Sequence, residues 1–169
     1  AELSDLYFAL GQNDQAWQCY RKGVTLAEER KDARRLHRLQ RVGATLAWAQ
    51  GDWAMMRDLY TVAFTGLNAA SIAAGDLSQL LIGAGHIAYL LALRGSGTDA
   101  AALDTAIRRL IDHRMMRPIY LLRVFQAKSA PLIEALSPEA LTHAQEIGQA
   151  VDAFQFFTFV LHCLTVLPD

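Results

Sequence analysis

Six cations fall within twelve residues, Arg30, Lys31, Arg34, Arg35, Arg38 and Arg41, opposed only by Asp32. Arg34, Arg38 and Arg41 stand at i, i+4 and i+7, which on a helix is one stripe. Guanidinium groups in such a row can each hold a carboxylate or phosphate through two parallel hydrogen bonds. The chemistry open to the stripe is therefore docking of an acidic peptide, a phosphate or a nucleic-acid backbone. A second reading stands beside it: a solvated face balanced by acids on neighbouring helices. Leu36, Leu39, Val42 and Leu46 hold the other side of the same helix, so the stripe is expected to lie outside the core.

Other reactive side chains form no constellation. The histidines at 37, 86, 113, 143 and 162 show no H-x-x-x-H spacing and no cysteine in ligand range, so no metal is expected. His162 and Cys163 are neighbours in sequence and point in different helical directions, which excludes a local dyad. Cys19 and Cys163 cannot build a disulfide framework, and a reducing compartment suits them. P-loop, dinucleotide fingerprint and nucleophile elbow are all missing; Gly83-Ala84-Gly85 sits inside a helical pattern with no strand before it. Met55-Met56 and Met115-Met116 could line an adaptable surface or fill a core. The expectation is a non-enzyme without cofactor.

The elements that carry these residues are helical. With 53% hydrophobic and 20% charged residues, the 169-residue chain can bury a core, and a disordered or fibrous chain is excluded. Its formal net charge of −1 disfavours wholesale nucleic-acid binding. Ala16, Trp17, Tyr20, Val24 and Ala27 recur at helical steps, as do Leu36, Leu39, Val42, Gly43, Leu46 and Ala47. No window alternates like a strand. Gly11-Gln12-Asn13-Asp14, Gly51-Asp52, Gly75-Asp76 and Gly95-Ser96-Gly97-Thr98 each read as a helix stop followed by a new start. Asp76 with Gln79 forms a capping-box pattern, and Ser137-Pro138-Glu139 opens another helix. About eight to ten helices follow, in a single domain over 1–169.

Two broader patterns bear on partners. Every Lys and Arg lies between Arg21 and Lys128, whereas Ser129 to Asp169 carries Glu134, Glu139, Glu146, Asp152 and Asp169 and no cation. An acidic end of this kind could meet a basic patch on another copy, head to tail, or could be a chance composition. The apolar stretch Ala153 to Leu167 is too short to span a membrane and reads as a buried helix. Phe154, Phe156, Phe157 and Phe159 make it apolar all round, so it requires a cover: an internal groove, a homodimer partner or a further repeat. With no basic, apolar leader visible, the expected location is cytoplasmic. An Arg to Lys ratio of 13 to 3 and 28 alanines suit a GC-rich bacterial genome.

The stops also reveal a repeat. Gly11 is followed at +5, +9 and +12 by Ala16, Tyr20 and Gly23, and Gly51 by Met56, Tyr60 and Ala63. Upstream at −8, −7 and −4 stand Leu3, Ser4 and Tyr7, then Gly43, Ala44 and Ala47. Small residues at such positions let paired helices approach to about 8–9 Å. This resembles the tetratricopeptide repeat over Ala1–Arg30 and Leu36–Leu67. A third copy runs from Leu77 to Arg114, with Ile87, Ala88 and Leu91 before Gly95. Its turn reads as two or three residues longer, so that Ala102 and Ala106 take the small positions only after a gap.

The resemblance implies an all-α, right-handed superhelix of antiparallel helix pairs that begins inside a repeat, as a piece of a longer array would. Repeats nearer 40 than 34 residues are similar to the arrays of large bacterial MalT-type regulators. The family's concave groove would place Arg34, Arg38, Arg41, Thr45 and Trp48 on one first helix and His86 and Tyr89 on the next. Thr45 stands where carboxylate-clamp members keep asparagine, so the specificity implied is a different one. The function implied is a non-catalytic protein-interaction module of a regulatory or assembly protein. The alternative is a sensor that takes a small ligand or signalling peptide in the groove.

Overall fold

The computed structural model describes residues 1–65, 77–113, 120–153 and 155–167. The Gly75-Asp76 turn, the Asp76–Gln79 capping box, Met115-Met116 and Phe154 lie outside those residues, as does the His113 side chain. Among the described residues the protein is all-helical, without a strand. The helices among the described residues are α1 (Glu2–Ala9), α2 (Asn13–Glu29), α3 (Ala33–Ala49), α4 (Trp53–Thr65), α5 (Leu77–Leu93), α6 (Gly97–His113), α7 (Tyr120–Glu134), α8 (Pro138–Ala150) and α9 (Phe156–Val166).

One turn is used four times. Gly11, Gly51 and Gly95 take left-handed φ angles of 73°, 78° and 86°, and Lys31 takes 51°. In each case the next amide reaches back five residues: Gln12 to Tyr7, Asp32 to Ala27, Asp52 to Ala47 and Ser96 to Leu91, at 2.8–3.0 Å. The left-handed residue itself donates to the carbonyl three before it. Both bonds satisfy carbonyls that a helix end leaves orphaned. Asp32 and Asp52 then cap the next helix, accepting from the amides of Arg35 and Met55 at 2.9 Å. The turn at Gly95 is no longer than the others. Ala100 stands five residues after it, as Ala16 and Met56 stand after theirs, and all three are fully buried. The gap expected in the third copy does not exist.

The helices sort into two compact units, α1–α4 and α5–α9. In the first, α2 packs on α1, α3 on α2 and α4 on α3, and α1 also reaches α3. Its core gathers Ala16, Tyr20, Ala27, Leu39, Val42 and Leu46. Small residues mark the crossings. Ser4 is fully buried and its hydroxyl donates to the Ala16 carbonyl at 2.8 Å, tying α1 to α2. Gly43 faces the Tyr20 ring so closely that an added Cβ would lie 2.6 Å from it. Tyr20 thus fills the space between α2 and α3.

In the second unit α5 is the central helix, buried along almost its whole length, with α6, α7 and α9 packed on it. Consecutive helices α7 and α8 seat mainly on different neighbours, α7 on α5 and α8 on α6. Ser137 caps α8 by accepting from the Ala140 amide at 3.2 Å, with Pro138 at the first helical position, as read from sequence. The α6–α8 crossing is the tightest. A Cβ on Gly148 would run into the Ala102 carbonyl and approach the Thr105 Cβ to 2.6 Å.

Two substitutions test these constraints. Lys31→Gly removes the only left-handed non-glycine conformation among the described residues and is expected to raise stability by about 0.5–1 kcal/mol, read as a higher urea midpoint. Gly148→Ala is expected to cost about 1–3 kcal/mol, because two backbones must part to admit one methyl group. An unchanged midpoint for Gly148→Ala would mean that the crossing is loose.

Candidate functional site

The arginine stripe has two fates. Arg34 is exposed and Arg38 half-buried, but Arg41 is only 3% exposed. Its Nη2 lies 2.5 Å from the Asp5 carboxylate, an ion pair that joins α1 to α3. Thr45, 5% exposed, donates to the Arg41 carbonyl and shares a 3.4 Å hydrogen bond with the Tyr60 hydroxyl of α4. The expectation that the whole stripe lies outside the core is therefore wrong at Arg41, and Thr45 is core as well. The three arginines do share one face of α3. What changes along the helix is the cover: its first turns are open, whereas its second half lies between α1 and α4. Trp48, further along, is half-buried.

The open end of the stripe borders a cleft of about 740 Å³ between α1, α2 and the start of α3. Lys22, Arg34, Arg35 and Arg38 supply four cations to its wall, against the carboxylates of Glu2 and Asp32. Asp32 is already engaged in capping α3 and in a 3.7 Å pair with Arg35. Leu3, 62% exposed, and Leu26, 37% exposed, add apolar surface beside the cations. The arrangement can receive a segment that carries both carboxylates and an apolar side chain. Sequence alone singled out Arg34 and Arg38; Lys22 and the two leucines lie on other helices and became neighbours only through the fold.

His86 and Tyr89, the remaining groove residues, belong to the second unit. His86 is fully buried and stacks on Phe125 of α7, with ring centroids 4.5 Å apart. Tyr89 lies 6.3 Å from the same ring and carries the Lys128 ammonium 5.7 Å above its face. This stack joins α5 to α7, and sequence gave no sign of Phe125 or Lys128 as its members. The phenylalanine run is covered from within. Phe156 and Phe157 are 1% and 8% exposed, on a helix packed against α5 and α6, and Phe159 leans on the cluster of Ala101, Ala102 and Ala144. Phe156 and Phe157 are core rather than an open interface, and Phe159 is half-buried.

Two further sites carry chemistry in outline. A smaller cavity of about 280 Å³ in the second unit is lined by Ala106, Arg109, Leu110, Val151, Asp152, Ala153 and Phe156. One Arg109 nitrogen donates to the Val151 carbonyl at 3.2 Å. Burial pushes the Cys163 thiol up to about 12 and the Tyr60 hydroxyl well above its ordinary value, so both stay protonated at neutral pH. Among the described residues no three His, Cys, Asp or Glu side chains gather as a metal site, and no helix is long and apolar enough to cross a membrane. No protein-family model matches the chain, and no curated protein or solved structure matches it either.

Arg41→Ala is expected to cost about 3–5 kcal/mol, because it strands the largely buried Asp5 carboxylate. Arg34→Ala should stay within about 0.5 kcal/mol in the same denaturation assay. Maleimide labelling of the native protein at pH 8 should modify the half-buried Cys19 and spare Cys163 until the fold is opened. Because the folded state holds the Cys163 proton more tightly than the unfolded state, its contribution to stability is complete below the ordinary thiol value. That contribution is lost as pH rises towards 12. Urea midpoints that fall between pH 8 and pH 11 in the parent, but less in Cys163→Ala, check the sign.

Proposed function

We propose that the chain is a non-catalytic protein-interaction module, part of a cytoplasmic regulatory or assembly protein of a bacterium, which takes an acidic, leucine-bearing segment into the cleft beside α3. One observation carries the reading: Lys22, Arg34, Arg35 and Arg38 converge from two helices on one cleft that also presents Leu3 and Leu26. Side chains of opposite character placed together favour an amphipathic partner, since the cations steer and orient while the leucines supply buried area. In this reading α1–α4 are two tetratricopeptide-like pairs of a right-handed superhelix. The evenly spaced left-handed turns and the small residues at the helix crossings support that assignment. The binding surface would then lie at the entrance of α3 instead of along Arg41, Thr45 and Trp48.

A fluorescein-labelled peptide of glutamates carrying two leucines is a suitable probe, with anisotropy as the readout. Arg34→Glu combined with Arg38→Glu should weaken its binding at least tenfold, a loss of about 1.4 kcal/mol or more, without changing the circular dichroism. Raising NaCl from about 0.05 to about 0.5 M should weaken binding to the parent and have little further effect on the variant. Equal binding by parent and variant would remove the cleft from the reading.

The cavity at Arg109 favours a second reading, a sensor for a small ligand. Its volume suits a molecule at the lower end of the usual range for ligand pockets. A thermal shift with small carboxylates that disappears in Arg109→Ala is the result that reading requires.

A further inference from the structure

The cleft has a counterpart on the same chain. The corner between α7 and α8 stands in solvent: Leu132 is 39% exposed, and Glu134, Ser137, Pro138 and Glu139 are exposed around it. It therefore presents Leu132 together with the carboxylates of Glu134 and Glu139. Hydrogen bonds from its own amide and from the Ser137 hydroxyl hold the Glu139 carboxyl below the usual range, so it is charged at neutral pH. No cation follows Lys128, and the Lys128 ammonium itself lies over the Tyr89 ring. The corner thus opens a stretch of 41 residues, 129–169, with five carboxylate side chains and no basic one.

We propose that the segment received by the cleft is the α7–α8 corner of a second copy of this chain, with Glu134 and Glu139 of one copy on Arg34 and Arg38 of the next and Leu132 between Leu3 and Leu26. This rests on the reading of the cleft given above and names its occupant. The complementarity is in kind as well as in sign: two carboxylates and a leucine meet arginines and two leucines. The surfaces that join are different ones, so the contact pairs the cleft of one copy with the corner of another and depends on protein concentration.

Sedimentation of the full chain at about 0.05 M NaCl, over protein concentrations from about 5 to 500 µM, tests the proposal. A weight-average mass that rises with concentration, and falls back to the monomer at about 0.5 M NaCl, is expected. Arg34→Glu with Arg38→Glu, and separately Glu134→Arg with Glu139→Arg, should each leave a monomer at least tenfold further into the concentration range. Mixed in equal amounts, the two variants should associate again, because each then offers the surface the other lacks. Such rescue cannot come from misfolding. A parent that stays monomeric throughout, or a mixture that fails to associate, overturns the proposal. If the parent is monomeric while the glutamate–leucine peptide still binds the cleft, the occupant is wrong and the cleft reading stands; if neither binds, both fall.

Discussion

Everything in the first unit depends on a turn that closes a helix and opens the next within three residues. Its left-handed residue and the amide after it bond back to carbonyls that would otherwise face nothing. So short a connection leaves consecutive helices no choice but to lie antiparallel and close. Closeness in turn demands small side chains wherever the axes cross, and Ser4, Ala16, Gly23 and Gly43 stand at or beside those crossings. The left-handed positions at residues 11, 31 and 51 are twenty residues apart. That interval sets helix length, helix pairing and the period of the sequence together.

Arg34, Arg38 and Arg41 show how little a residue type says about its role. They lie on one face of one helix, yet one end meets water and the other a carboxylate inside the protein. Arg34 is exposed and Arg38 half-buried, so solvent screens their charges. Around Arg41 the solvent has been removed, so its charge is tolerable only because Asp5 answers it. A single row of guanidinium groups is divided between an open and a covered environment by where α1 reaches α3.

The sequence made much of this legible. Periodicity placed the helices, and glycine marked three of the four left-handed turns. The turn at Lys31 was hidden, because it uses a residue that rarely takes that conformation. Its signal was the midpoint between Gly11 and Gly51. Of the aligned residues, Ser4 and Ala44, Ala16 and Met56, and Tyr20 and Tyr60 are buried in both copies, whereas Leu3 is exposed where Gly43 is buried. The cleft was only half visible: Arg34 and Arg38 are close in sequence, whereas Lys22, Leu3 and Leu26 join them through tertiary contact. The Asp5–Arg41 pair was not visible at all, for its partners are 36 residues apart and nothing in the local pattern of either announces the other. Four phenylalanines said that a cover was needed. They could not say that α5 and α6 provide much of it.

The arrangement of α7 and α8 has a consequence for the path by which the second unit is made. Each of these helices rests chiefly on one member of the α5–α6 pair and little on the other, so neither is a platform for its neighbour. Isolated helices of their length are marginal in water, so α7 and α8 depend on α5 and α6 respectively for the burial of their apolar faces. Chain entropy puts the α5–α6 pair first, because closing the short loop at Gly95 costs less than bringing α8 back to α6. The α5–α6 hairpin is therefore the template of the unit. A defect at Gly95 would be felt first as slow folding, before it was felt as lost stability.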